Sequence, residues 1–276
     1  MYIPYYARDF AAVILLVWGA SVIIPVAGPI GIASNALDLT VLLFSILSGF
    51  VISILWERIG SVRDALGRES AHTINIYTLC HVFGKKLQKK VAEAIDKYTI
   101  ISVHYPLEMY EKSDASFLEM FELIEDIKPM GNKQETVYDE LLSELEEMED
   151  SRMTTVYTAK LKLLGFLKIS IIILGATVIG LLFLTRLDTL YSYLVSFVLS
   201  VIVVVVYFVI VQLDKLTFWE SEMFEVNING LYNIMGMTTF YDPELVKQGR
   251  HVPKPGEKYR TFDSKERVVT LVWPRK

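Results

Sequence analysis

The sequence predicts an all-α membrane protein, with four transmembrane helices in two hairpins around a large helical domain. Three observations carry this reading. The 276 residues are 53% hydrophobic and 21% charged, with a mean hydropathy of +0.39, more apolar than a soluble domain of ordinary composition. The excess collects in two blocks, residues 10–56 and 163–213. Within them four runs carry no charge: Phe10–Leu37, Leu39–Trp56, Ile169–Thr185 and Thr189–Leu213. A helix of about 20 residues crosses the ~30 Å hydrocarbon core.

Each run reads as one span. The first is long enough to include a turn, and Pro25, Gly28, Pro29 and Gly31 end its helix. It reads as a signal anchor rather than a cleaved leader, because its leading segment has only Arg8, balanced by Asp9. The second and fourth runs fit directly. The third is short, but residues 161–167 extend it, and Lys162 and Lys168 can snorkel to the interface. The resulting domains are a hairpin at 1–56, a helical domain at 57–160, a second hairpin at 161–213 and a tail at 214–276.

Lys and Arg set the orientation. The short connections at about 34–38 and 186–188 hold one basic residue, Arg186, whereas 57–160 holds thirteen and the chain after Leu213 holds ten. The positive-inside rule places the middle domain and both termini in the cytoplasm, in the cell membrane. The lone cysteine, Cys80, falls in that domain, so it is expected reduced and no disulfide framework exists within the chain.

The middle domain reads as helix from 57 to 105, with Ile59, Val62 and Leu66, then Leu87, Val91, Ala94, Tyr98 and Ile101 at helical spacing. Gly84 separates two helices and Pro106 ends the second. An amphipathic helix follows at 114–128, with Phe117, Phe121 and Ile124 on one face. After a turn at Pro129–Gly131, Asn132 and Glu135 match a capping box. From Lys133 nothing breaks the helix before Gly165, so one long helix is expected to run into the third span. The acidic run Glu144–Asp150 lies on this helix, which cannot wrap carboxylates around one ion as a calcium loop does. Residues 240–276 are polar and contain Pro243, Pro253 and Pro255. They read as an extended arm or partly disordered tail with one strand-like run, Val268–Trp273, expected to pack on the cytoplasmic domain of its own or a neighbouring subunit.

Function is first narrowed by what is missing. The net charge is −5, with no basic patch for nucleic acid. There is no phosphate-binding glycine loop, HExxH or CxxC, and the four histidines lack metal-ligand spacing. No enzyme reading has support. No acidic residue lies inside a span, whereas ion-coupled transporters keep ionisable groups at membrane depth. This favours a passive pore or a non-transporting scaffold. The second span is the most patterned. Ser45, Gly49 and Ser53 form a small-residue stripe that lets helices approach closely in lipid. Leu42, Ile46 and Phe50 form an adjacent apolar stripe. It either faces lipid or, in an oligomer, faces a central axis as a constriction that gates by dewetting. Ser192, Ser196 and Ser200 in the fourth span read as packing.

Two spans, a helical insert, two spans and a tail is the layout of the bestrophins. The segment Leu42–Phe50 resembles their pore helix, with Ser48-Gly49-Phe50 where bestrophins carry Leu-Gly-Phe, and Arg58 lies where they carry an arginine. Trp56-Glu57-Arg58, Glu69, Leu79, Asp150-Ser151-Arg152 and Leu213-Asp214 are similar to a bestrophin-like prokaryotic family. The resemblance implies a homopentameric, anion (chloride)-conducting channel in which five copies of the second span line a pore. Leu42, Ile46 and Phe50 would be its neck, with Ser45, Gly49 and Ser53 packing around it. Glu220, Glu222 and Glu225, after Asp214, resemble a reduced form of the acidic calcium clasp of animal bestrophins. The competing reading is a non-conducting membrane scaffold or sensor that binds a cytoplasmic partner.

Overall fold

The structure, a computed structural model, describes residues 12–15, 19, 31–216, 220–241, 243, 246, 253, 255–263 and 267–273, and omits the side chains of 31–32 and 220–227. Most of the expected first span therefore lies outside the described residues, apart from helical turns at 12–15 and 19. Helix α1 runs over Gly31–Leu79, followed by a 3-10 turn at Cys80–Phe83. Helix α2 covers Lys85–His104, a 3-10 segment Leu107–Ser113, α3 Asp114–Glu125 and α4 Asn132–Lys160. Helices α5 (Gly165–Leu184), α6 (Leu190–Asp214) and α7 (Glu220–Met235) follow, then strands β1 (Lys258–Phe262) and β2 (Val268–Val272). The protein is thus a mostly helical membrane protein. Among the described residues, three helices are long and apolar enough to cross a membrane: the apolar part of α1, α5 and α6.

The chain divides into two compact units. One comprises Met1–Ile59 and Lys162–Phe218, the other Gly60–Leu161 and Trp219–Lys276. In the first, the membrane unit, α5 and α6 pair. Gly175 makes close packing possible, because an added Cβ would lie 3.2 Å from Val203 and 3.4 Å from the Phe44 ring. Ser196 and Ser200 are buried, and the Ser196 hydroxyl donates to the Leu182 carbonyl at 3.2 Å. Between α5 and α6, Thr189 caps α6 by accepting from the Ser192 amide. Arg186 is buried there over the rings of Phe183 and Tyr193.

The second, helical unit has a core built from α1 beyond Trp56, α2, α3, α4 and α7. Ile76, Ile95, Met120, Ile124, Leu141 and Leu145 are fully buried in it. Phe117 and Ile124 face this core as the sequence expected, with Phe121 packed at its margin.

Three local expectations are corrected. Residues 34–38 are helical rather than a loop, because the chain has no breaker after Gly31; the Thr40 hydroxyl already donates to the Ala36 carbonyl. Asn132 does not cap α4. Gly131, at φ 86°, occupies that position, and the Gln134 side chain accepts the Met130 amide instead. Helix α4 does not continue into the third span: it ends at Lys160, and 161–164 is extended. The amide of Leu163 leaves the helical ladder to donate to the Asp214 carboxylate at 2.8 Å.

The tail is not merely an extended arm. β1 and β2 pair antiparallel, Tyr259 opposite Leu271. The hairpin packs on its own helical unit: Phe262 stacks edge-on with Phe240 and His104. The Arg260 guanidinium pairs with Asp96 at 2.8 Å and lies over the Tyr232 ring.

Candidate functional site

The spacing of apolar and small residues in α1 fixes two opposed faces. Phe44, Ser48, Val51 and Leu55 are buried, at steps of four, three and four residues, which keeps them on one side of a helix. On the opposite side Leu42, Ile46 and Phe50 are 56%, 62% and 58% exposed. They rise about 6 Å per step along the axis. Ser45, Gly49 and Ser53 are exposed as well, so among the described residues the small stripe is left uncovered. It borders an apolar groove of about 380 Å³, lined by Ser45, Ser48 and Gly49 of α1, Val178 of α5, and Leu199 and Val203 of α6.

At the charged end of the membrane unit, Asp214 is the hub. Its carboxylate accepts the Leu163 amide, pairs with Lys168 at 2.6 Å and lies 3.6 Å from the Arg58 guanidinium. Arg58 also donates to the Asp214 carbonyl at 3.0 Å. A buried carboxylate needs such partners, and here they hold the extended residue Leu163 that leads into α5. The sequence places Asp214 with Glu220, Glu222 and Glu225 in a candidate cation clasp; in the structure its carboxylate meets Arg58 and Lys168. The side chains of Glu220, Glu222 and Glu225 lie outside the described residues.

A third cluster was not anticipated. In the helical unit, beyond the apolar run that ends at Trp56, Glu69 of α1 and Arg152 of α4 are buried at core positions. The Tyr98 and Tyr110 hydroxyls both donate to Glu69 Oε1, the latter at 2.8 Å. Arg152 donates to the Tyr98 hydroxyl at 2.7 Å, to Ser113 at 2.9 Å and to the Tyr110 carbonyl at 3.0 Å, and it pairs with Asp114. Its guanidinium sits among the rings of Tyr98, Tyr110 and Phe117. Burial pushes the Glu69 carboxyl above its ordinary value, against the lowering effect of the tyrosine hydrogen bonds and Arg152. Burial likewise holds both phenols well above the usual tyrosine range. The signal for this site was available as a charged residue in each of two core stripes.

With this geometry in hand, comparison with known proteins is decisive for the family. The model of the bestrophin-like domain matches residues 31–216, from the start of α1 to just beyond the end of α6. The chain belongs to the bestrophin-like family. Solved structures agree in fold. A variant of the bacterial bestrophin homologue from Klebsiella pneumoniae superposes with a TM-score of 0.64 at 12% identity, covering 82% of this chain and 97% of that one. A second variant of the same homologue gives 0.62 at 11%, covering 83% and 96%. A crystal structure described as a membrane protein gives 0.65 at 10%, covering 84% and 99%. At these identities the likeness is one of bestrophin fold alone. No curated protein matches the sequence.

Proposed function

We propose that this bestrophin-like protein is an ion channel rather than an enzyme: a ring of identical subunits whose axis is lined by α1. The observation that carries the reading is the exposed face of that helix. Leu42, Ile46 and Phe50 form an unbroken apolar stripe on the side away from the subunit's own packing. Beside it Ser45, Gly49 and Ser53 are small and unpacked. Small residues at membrane depth let another helix approach closely, and the bordering groove offers a neighbouring subunit a seat. Closing such contacts around one axis gives a cyclic assembly, for which the bestrophin resemblance supports five subunits. The three apolar side chains then become three stacked rings that expel water when narrow. The same resemblance supports chloride as the permeant ion. The basic residues of the helical unit and tail support a cell-membrane protein with both termini in the cytoplasm.

The test is a flux assay in reconstituted vesicles. Replacing Leu42, Ile46 and Phe50 with alanine should widen the neck and raise flux, while native mass still reports the oligomer. Substituting chloride by a bulky anion should abolish the current. An intact oligomer with background flux in both forms rejects the channel and leaves the scaffold reading. A particle that is only a monomer or dimer rejects the ring.

A further inference from the structure

Glu69 has no role in the proposed pore, and its surroundings raise a separate question. The carboxyl is fully inside the helical unit, yet only one of its oxygens is served. Oε1 accepts two phenolic hydroxyls, whereas Oε2 is buried with no hydrogen-bond partner. The hydroxyl of Ser102, on α2, is also buried without one. Both residues line the same cavity of about 50 Å³, together with Thr73, Thr99, Ile228 and Leu231. Arg152 directs its donated bonds to Tyr98, Ser113, the Tyr110 carbonyl and Asp114. A buried carboxylate without a bonded cation is costly; a protonated one is not, provided its O–H finds an acceptor. A cavity of this size holds a water molecule if two or more polar groups meet it, and the two unpaired oxygens are such a pair. Ile228 and Leu231 of α7 supply the apolar side of the cavity, and both are buried there.

We propose that Glu69 and Ser102 form a proton-binding site with one buried water, and that α7 stays packed through Ile228 and Leu231 while the proton is bound. Loss of the proton leaves a carboxylate that must be hydrated, and the enlarged, wetted cavity no longer seats the two apolar side chains. The groups facing Glu69 are Tyr98 from α2, Tyr110 from the 3-10 segment and Arg152 from α4, with Asp114 of α3 behind Arg152. The described side chains of α7 at the cavity are apolar. Both phenols titrate far above neutrality and Arg152 stays charged, so Glu69, whose carboxyl burial raises, is the member of this cluster that carries the pH dependence. The sign follows from linkage. The packed state holds the proton more tightly than a solvated carboxyl of ordinary value 4.5. Packing is therefore complete below that value and is lost as pH rises through the raised one.

Hydrogen exchange of the full-length solubilised protein tests this. Corrected for intrinsic rates, exchange in residues 228–235 should rise about tenfold per pH unit across the titration. Glu69→Gln, neutral at every pH, should stay slow throughout, and Ser102→Ala should shift the midpoint. A pH-independent wild type overturns the proposal, and so does an E69Q profile that copies the wild type. If E69Q does not fold, the wild-type infrared band of a protonated carboxylic acid decides. It must vanish over the pH interval in which α7 exchange rises, and its absence overturns the site.

Discussion

The two halves of α1 are built by opposite rules on one continuous helix. Up to Trp56 the large exposed side chains are apolar, among them Leu42, Ile46 and Phe50, while a polar side chain, Ser48, is buried. Beyond Glu57 the exposed positions are mostly polar, among them Arg63, Asp64 and Arg68. The buried ones are Ile59, Val62, Leu66, Glu69, Thr73, Ile76 and Cys80, at alternating steps of three and four. The same period thus carries two solvents. In the first half exposure costs nothing because lipid is as apolar as leucine. In the second, burial supplies stability through the hydrophobic effect, and any polar group admitted must be satisfied. Side chains that are outside in the first half are free to serve function. Side chains that are inside in the second are committed to the fold.

The comparison can be broken most severely at Arg152. Removing it to alanine strips the Tyr98, Ser113 and Asp114 contacts, and loss of one partner from a buried polar cluster costs about 3–5 kcal/mol. Thermal unfolding of the solubilised protein, followed by circular dichroism, should show a drop of many degrees. Replacement of exposed Arg68 should show none, and equal effects would erase the distinction. Next in size is a matched pair on α1 itself. Leu66→Ala in the helical core should cost about 2–5 kcal/mol, whereas Ile46→Ala should leave the melting temperature within error. Equal losses would mean that the Ile46 face is packed within the subunit.

Smaller again is Gly175→Leu. The space beside Val203 and Phe44 does not admit a branched side chain, and overpacking of this kind costs about 1–3 kcal/mol. Reduced thermal stability of the solubilised protein is the expected readout, and an unchanged melting curve would show that α5 and α6 can part. The smallest effect is expected at Cys80. Burial pushes its thiol up to about 12, so a thiol reagent at pH 8 should not label the native protein on either side of a membrane. Rapid labelling should appear only after denaturation; native labelling would place the end of α1 in solvent.

Much of the fold was legible because long apolar runs and helical periods are local signals. The apolar runs of α1, α5 and α6, the break at Gly84 and the amphipathic α3 all follow from residues close in sequence. The polar cluster was half legible. Ile59, Val62 and Leu66 form a visible apolar stripe, whereas its continuation at Glu69 and Thr73 is polar and hides the same face. In α4 the stripe Leu141, Leu145 and Met148 reaches Arg152, Thr155 and Ala159 by the same steps. A lone charge in each of two core stripes is the pattern that points to a buried pair. What could not be read locally was decided at a distance. The α4–α5 break depends on Asp214, 51 residues beyond Leu163. Strand β1 looks polar as Lys-Tyr-Arg-Thr-Phe, yet in the paired hairpin Tyr259 and Thr261 are buried, Tyr259 against Tyr241 and Trp273.

The place of Asp214 in the chain also sets an order of biogenesis. Arg58 leaves the ribosome first, Lys168 and the amide of Leu163 much later, and the carboxylate that joins them is the last residue of α6. Until it emerges, Lys168 and the Leu163 amide lack the carboxylate that joins them at the charged end of an unfinished membrane unit. Closure of that unit is therefore the final event of its synthesis. A nascent chain halted before residue 214 would present those unmet groups to the quality-control machinery, however completely its apolar segments had inserted.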